Sequence, residues 1–563
     1  MSSARALRRA AVAVMVAATL LLAGCIGLPT SGPVGEGDGA VDAPGPVFPL
    51  AYSPDVGADA QAIVQGFLAA SAAGLSDNYA VARQYLAGAA QATWQPSDGV
   101  VVYSTASGLD LAQVTETQIS VTLPVVATLD ADGRYAEGAP GAQQDAVFEM
   151  LRNADGQWRI SGLSDGVMLS EPIFSTVYRA TSLYFLTPAR DLLVPEVRWF
   201  PQRNTPTYAV RALLSGPTPW LLDAVTTAFP AGTRLAVESV PVDADGVATV
   251  DLTAAVAGAS SADRALLKAQ LEHVLEPVGV RSVNVSIGGL LMADPLAADL
   301  PSDPAPTGGL EALSGGRLQR LSGSAFEPVE TVGPLDGLDA RSPAAGVDGD
   351  PQVLLSGPDR LVLAPTATAA AQTLLTGTAL LAPSVDELGW IWSGPAAAAG
   401  SLQVVRADGT TVVVGAGWLE DRTVRSIRVS RDGTRIAVVS TGPDGPTVDV
   451  AGVVRDSSGA PQRLGDQLRV GARLTNATQV DWVDESTLAV LGTSGTMTGP
   501  TMHLVPIAGR TRALPALEGA NAIATGKGER ALYLGSDDGS LFTLQGTSWR
   551  EVATGVTSPT YSR

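Results

Sequence analysis

Val429-Ser430-Arg431-Asp432-Gly433-Thr434-Arg435-Ile436-Ala437 reads as strand, tight turn, strand. Asp and Gly supply the turn, since Gly accepts positive φ and Asp bonds back to the nearby backbone. The apolar run that follows, Ile436-Ala437-Val438-Val439, has counterparts along the C-terminal half of the chain. They are Gln352-Val353-Leu354-Leu355, Gly389-Trp390-Ile391-Trp392, Leu488-Ala489-Val490-Leu491 and Ala531-Leu532-Tyr533-Leu534. Successive copies lie 37, 47, 52 and 43 residues apart, near the roughly 40–50 residues of a four-stranded propeller blade. Asp408-Gly409 and Asp538-Gly539 fit the scheme as hairpin turns, and helical periodicity is missing throughout. Residues 310–563 are therefore expected to form an all-β propeller. Five blades are visible, and the count is six if one repeat has diverged. An extra strand near Leu318 to Leu321 is expected to complete the last blade and close the ring. A tandem of β-sandwiches is the structural alternative.

The turn at Ser430 to Gly433 resembles the Ser-Pro-Asp-Gly turns of TolB-like and WD-like propeller repeats. Upstream, residues 293–309 carry Pro295, Pro301, Pro304 and Pro306 and read as a linker. Residues 171–292 have an α+β pattern. Leu183 to Leu186 is a strand. Thr205-Pro206 gives an N-cap followed by proline in the first helical turn, Val210, Leu213 and Leu214 line the helix, and Gly216-Pro217 stops it. Leu235 to Val240 and Val247 to Leu252 are strands around Asp245-Gly246. Ser260 and Asp263 have capping-box spacing ahead of a helix lined by Leu267, Leu271, Val274 and Leu275, and Val283 to Ile287 closes the sheet. Three strings in this stretch, Ala209 to Pro217, Phe229-Pro230-Ala231-Gly232-Thr233 and Gly246 to Leu252, resemble the hallmarks of the GerMN domain of sporulation and germination proteins. The resemblance does not imply catalysis.

Residues 55–170 form a second α+β pattern. Ile63, Val64, Phe67 and Leu68 recur at helical spacing, and a short second helix carries Tyr79, Ala82, Tyr85 and Leu86. Strands follow at Val100 to Tyr103, Ile119 to Leu123, Ala146 to Leu151 and, after a turn at Asn153 to Gly156, at Trp158 to Ile160. Helices followed by a meander resemble the nuclear-transport-factor-like cone, a likeness of fold alone.

The N-terminus is an address. Arg5, Arg8 and Arg9 precede 14 residues, Ala10 to Ala23, without a charge. That is short of the about 20 residues a spanning helix needs and suits a signal peptide. The run ends Leu22-Ala23-Gly24-Cys25, similar to the bacterial lipobox. The resemblance implies a signal peptide over 1–24, lipid attachment to Cys25, the chain's one cysteine, and a Gly- and Pro-rich tether over 25–54. Two acyl chains are what stable anchoring requires. The expected location is the extracytoplasmic face of the cell membrane.

The whole chain has 563 residues, enough for about three domains. Its net charge of −20 argues against nucleic acid as a partner. One cysteine and two histidines leave no disulfide framework and no cysteine-cluster metal site. His273 and His503 fall in apolar runs and read as packed histidines. Asp408-Gly409-Thr410-Thr411 is similar to a sialidase Asp-box without its tryptophan, and reads as a hairpin turn. No catalytic, cofactor or metal residue is assigned.

Lipobox, small α+β module, GerMN module and propeller, in that order, resemble the LpqB lipoproteins of actinobacteria. The resemblance implies a non-enzymatic accessory protein of the MtrA–MtrB two-component system, bound to the extracellular domain of the sensor histidine kinase and linking envelope state to cell division and wall metabolism. The alternatives are a lipoprotein that binds peptidoglycan or another glycan, and a propeller glycoside hydrolase. The hydrolase needs two carboxylates facing each other across the funnel at about 5–10 Å.

Overall fold

The computed structural model describes residues 50–562 apart from 107, 294–297, 496 and 498. The expected signal peptide, Cys25 and nearly all of the expected tether lie outside the described residues.

The first module packs the helix Ala60–Ala73 against a mixed sheet. Asp59 caps the helix, accepting from the Ala62 N–H at 2.8 Å, and the predicted stripe Ile63, Val64, Phe67 and Leu68 is buried. The strands run in the order Trp158–Gly162, Gln143–Arg152, Gln118–Asp130, Gly99–Tyr103 and Val167–Ser170, with the last pair parallel. The predicted second helix is only a single 3₁₀ turn, Ala82–Tyr85. Asn78 and Tyr79 take left-handed backbone (φ 55° and 62°) and interrupt it. The Tyr79 ring fills the space over Gly74, where an added Cβ would lie 2.1 Å away.

The second module opens with the hairpin Tyr178–Leu186 and Leu193–Pro201. The helix Ser261–Leu275 then crosses over between the parallel strands Val247–Leu252 and Ser282–Ile287, a connection parallel pairing requires. Ser260 caps that helix through the Asp263 N–H at 3.1 Å, as its spacing predicts. Two expectations fail. The cap of the helix Thr205–Ser215 is Asn204, in left-handed backbone, while the Thr205 hydroxyl donates back to the Pro201 carbonyl at 2.8 Å. Leu235 to Val240 forms one bridge, Leu235 to Leu252, and no strand.

From residue 310 the described strands form four four-stranded antiparallel sheets and one nine-stranded sheet. The latter divides into two four-stranded antiparallel groups joined by a parallel bridge, Gly415 to Arg463, with Leu468–Val470 added at the side, which makes six groups. Their first strands are Thr557–Tyr561, Ala340–Ala345, Ser384–Val385, Thr423–Val429, Leu474–Trp482 and Ala520–Thr525. These six adjoin one another in a closed circuit. The five apolar runs read from the sequence all fall in or against the second strands. The sixth second strand is Leu310–Ser314. The closure differs from expectation. Leu318 to Leu321 lies inside the first group, and the C-terminal strand Thr557–Tyr561 completes that group by pairing with Leu310–Ser314.

The modules are locked together. The Trp220 carbonyl accepts from the Gly452 N–H at 2.8 Å. Tyr184 donates to Glu485 at 2.6 Å, a carboxyl whose pKa burial raises. The turn after Thr501–Pro506 reaches the first module, where Glu137 accepts from the Thr511 N–H at 2.8 Å and hydroxyl at 2.6 Å. Arg510 pairs with Glu171 in the same place. Much of the expected linker is a fixed strap. Its Pro301 carbonyl accepts from the Leu193 N–H at 3.0 Å, and its Asp303 carboxylate meets Lys527 at 3.3 Å and Arg431 at 3.5 Å.

Candidate functional site

Thr423–Val429, the strand that leads into the Ser430 to Gly433 turn, forms part of the wall of the propeller's central funnel. Asp432 is buried, and Oδ1 accepts from the Ser430 hydroxyl and the Thr434 N–H, both at 2.9 Å. Its Oδ2 pairs with the fully buried Arg435, whose guanidinium lies 5.0 Å from the Trp482 ring centre. Burial alone would raise the Asp432 pKa, but Arg435 and Thr434 outweigh it and hold it below the usual carboxylate range. This cluster fixes the turn, and with it the register of Thr423–Val429, which carries Arg425 and Arg428 into the funnel.

Five of the six first strands are bulged at the same level. Single extra residues occur at Arg425, Thr478 and Asn521. Ser342-Pro343 and Ser558-Pro559 each oppose one residue of their partner strand. Both serines have left-handed backbone, φ 45° and 49°. Proline has no N–H to give to a ladder, so a bulge accommodates it, and bulges at a barrel rim re-aim side chains. The sixth strand, only Ser384–Val385, contributes Ala382 from just before it. Together these residues form a polar collar around a cavity of about 390 Å³.

The cavity wall is made of hydroxyls, amides, small apolar groups and two arginines, and the residues lining it include no Asp or Glu. Arg428 forms its floor and also lines a smaller space of about 60 Å³ beyond, next to the strap. Arg428 donates to the Pro383 carbonyl at 3.3 Å and stands 3.9 Å from Asp481. Arg425 is exposed and has no hydrogen-bond or ion-pair partner among the described residues.

The residues weighed in the sequence lie elsewhere. His503 is buried, its Nε2 2.9 Å from the Ser494 hydroxyl and its Nδ1 3.1 Å from the Thr501 carbonyl oxygen, and burial lowers its pKa. His273 has Nδ1 2.9 Å from the Ala269 carbonyl oxygen and meets the Tyr184 ring edge-on. Asp408 accepts from the Thr410 N–H at 2.8 Å, as a hairpin turn requires. Cys25 lies outside the described residues. Sequence reasoning missed the collar. Its signal was an X-Pro pair in three of the six groups, at Pro343, Pro383 and Pro559, the first two 40 residues apart.

Three family profiles cover most of the chain. "Lipoprotein LpqB, N-terminal domain" matches 53–175, "Sporulation and spore germination" matches 182–290, and "Lipoprotein LpqB beta-propeller domain" matches 316–562. A Cutibacterium acnes protein named lipoprotein LpqB is 30% identical over 98% of this chain and 99% of its own. A Thermobifida fusca protein of the same name is 30% identical over 86% of this chain and 87% of its own. Among solved structures, a chain of the nidogen/laminin complex is 16% identical and matches 45% of this chain and 97% of its own at a TM-score of 0.33.

Proposed function

The chain belongs to the LpqB lipoprotein family, and from that premise we propose that it is a lipid-anchored, non-enzymatic accessory protein on the extracytoplasmic face of the membrane. Its signal peptide ends at Gly24 and its acyl chains sit on Cys25. Among the described residues no helix is long and apolar enough to cross a membrane, and in this reading the lipid supplies the attachment. We read the closed circuit of six groups as six blades, and the first module as a nuclear-transport-factor-like cone.

The partner in this reading is the extracellular domain of a sensor histidine kinase of the MtrB type. One observation carries the binding role. Three modules are fixed to one another, and the funnel of the third offers hydrogen-bonding groups and cations on its walls. Glycoside hydrolysis uses two carboxylates about 5–10 Å apart, and the funnel wall is built of other chemistry. A second reading, binding of wall glycan, is favoured by the cleft between the two α+β modules. That cleft encloses about 490 Å³ and is lined by Tyr79, Tyr178, Trp199, Phe200 and Tyr208, and aromatic faces with a polar edge suit sugar rings.

Crosslinking in the intact envelope, followed by identification of what is joined to this chain, tests the choice. The accessory reading predicts the sensor kinase among the products. Products of wall glycan alone would replace it with the second reading.

A further inference from the structure

We propose that the collar end of the funnel binds an oxyanion carried on a small polar ligand, and that Arg425 grips it. Five arginines along one stretch of chain differ in what holds them. Arg422 is held by Asp444, the Ser440 hydroxyl and the Thr447 hydroxyl. Arg428 is tied to the Pro383 carbonyl, Arg431 to the Trp482 carbonyl at 2.8 Å, and Arg435 to Asp432. Arg425 alone of these five has its fork unspent among the described residues.

Its position is built. Arg425 is the extra residue of a bulge, and the same device in the neighbouring strands brings Ser342, Thr478, Asn521 and Ser558 to the same rim. The lining holds no carboxylate to satisfy or repel, and a second cation, Arg428, lies on the floor. In a chain of net charge −20, this is a local site of the opposite sign. A guanidinium offers two parallel N–H groups that match a carboxylate or a phosphate. The surrounding hydroxyls and amides suit the polar remainder of the ligand, and about 390 Å³ accommodates a short peptide end, a sugar acid or a phosphate ester.

The site stands independently of the kinase reading, because its test needs no protein partner. The full chain in detergent is titrated calorimetrically with N-acetylalanine, its neutral amide and inorganic phosphate. At least one anion is expected to bind, with the amide about ten-fold weaker or more. Arg425→Gln is expected to weaken the anion by about ten-fold or more without moving the melting temperature, and Arg425→Lys to restore only part. Asn521→Asp, which puts a carboxylate into the collar and leaves Arg425 in place, is expected to weaken binding by a similar factor. Binding of N-acetylalanine alone identifies a carboxylate source, and of phosphate alone a phosphate source. No binding of either anion up to about 20 mM, equal binding of the amide, or full binding by Arg425→Gln would overturn the site.

Discussion

Asp432 keeps its charge almost without water, because Arg435, Thr434 and Ser430 replace the solvent around both oxygens. Removing one partner of such a pair leaves the other charge buried alone, a loss of about 3–5 kcal/mol. Asp432→Asn is therefore expected to destabilise the protein by about that much, measured by chemical denaturation. Arg425→Gln, only seven positions away, should leave stability unchanged, since Arg425 has no partner to lose. The Asp-Gly turn was legible from residue type alone. The ion pair was not, because nothing local says that Arg435 is packed under Trp482. Glu311 was illegible in the same way. It is a fully buried carboxylate held by Arg320 at 2.6 Å, and an acidic residue does not announce a buried strand.

Strands of the propeller were readable where they are buried on both faces. The second strands carry unbroken aliphatic runs such as Ile436 to Val439, and all five predicted copies fall in or against one. The sixth, Leu310–Ser314, was hidden by Glu311 and by a pairing partner at the far end of the chain, Thr557–Tyr561. The first strands were harder, since each bulge shifts the inside-outside alternation by one residue. Docking between elements left almost no signature. Gly452 lies under the second module, where an added Cβ would fall 2.6 Å from the Ala224 Cβ and 3.0 Å from the Trp220 oxygen. Gly452→Ala is expected to lower stability by about 1–3 kcal/mol through overpacking, whereas Gly417→Ala, with nothing within 4 Å, should be near neutral. Paired thermal melts compare the two.

At the scale of the whole molecule, the strap from Pro301 to Asp303, the docked Trp220 segment and the Glu137–Thr511 contact join three modules that sequence divides cleanly. The modules were legible, each having its own periodicity. Their fixed arrangement was not, because the apolar core that the second module shares with the propeller, and the polar contacts beside it, join residues hundreds of positions apart. Anchoring belongs to this scale too. Cys25→Ala is expected to move the protein from the detergent phase to the aqueous phase while its melting temperature stays the same. Retention in the detergent phase would remove the lipid from the account. Removal of the proposed signal peptide would take Arg5, Arg8 and Arg9 with it and leave the rest of the chain still more acidic, which would favour a basic protein surface over anionic lipid. The most direct measurement is calorimetry of the soluble 26–563 fragment against the purified extracellular domain of the sensor kinase. A saturable heat with a defined stoichiometry is the predicted result, and the absence of both heat and complex would contradict it.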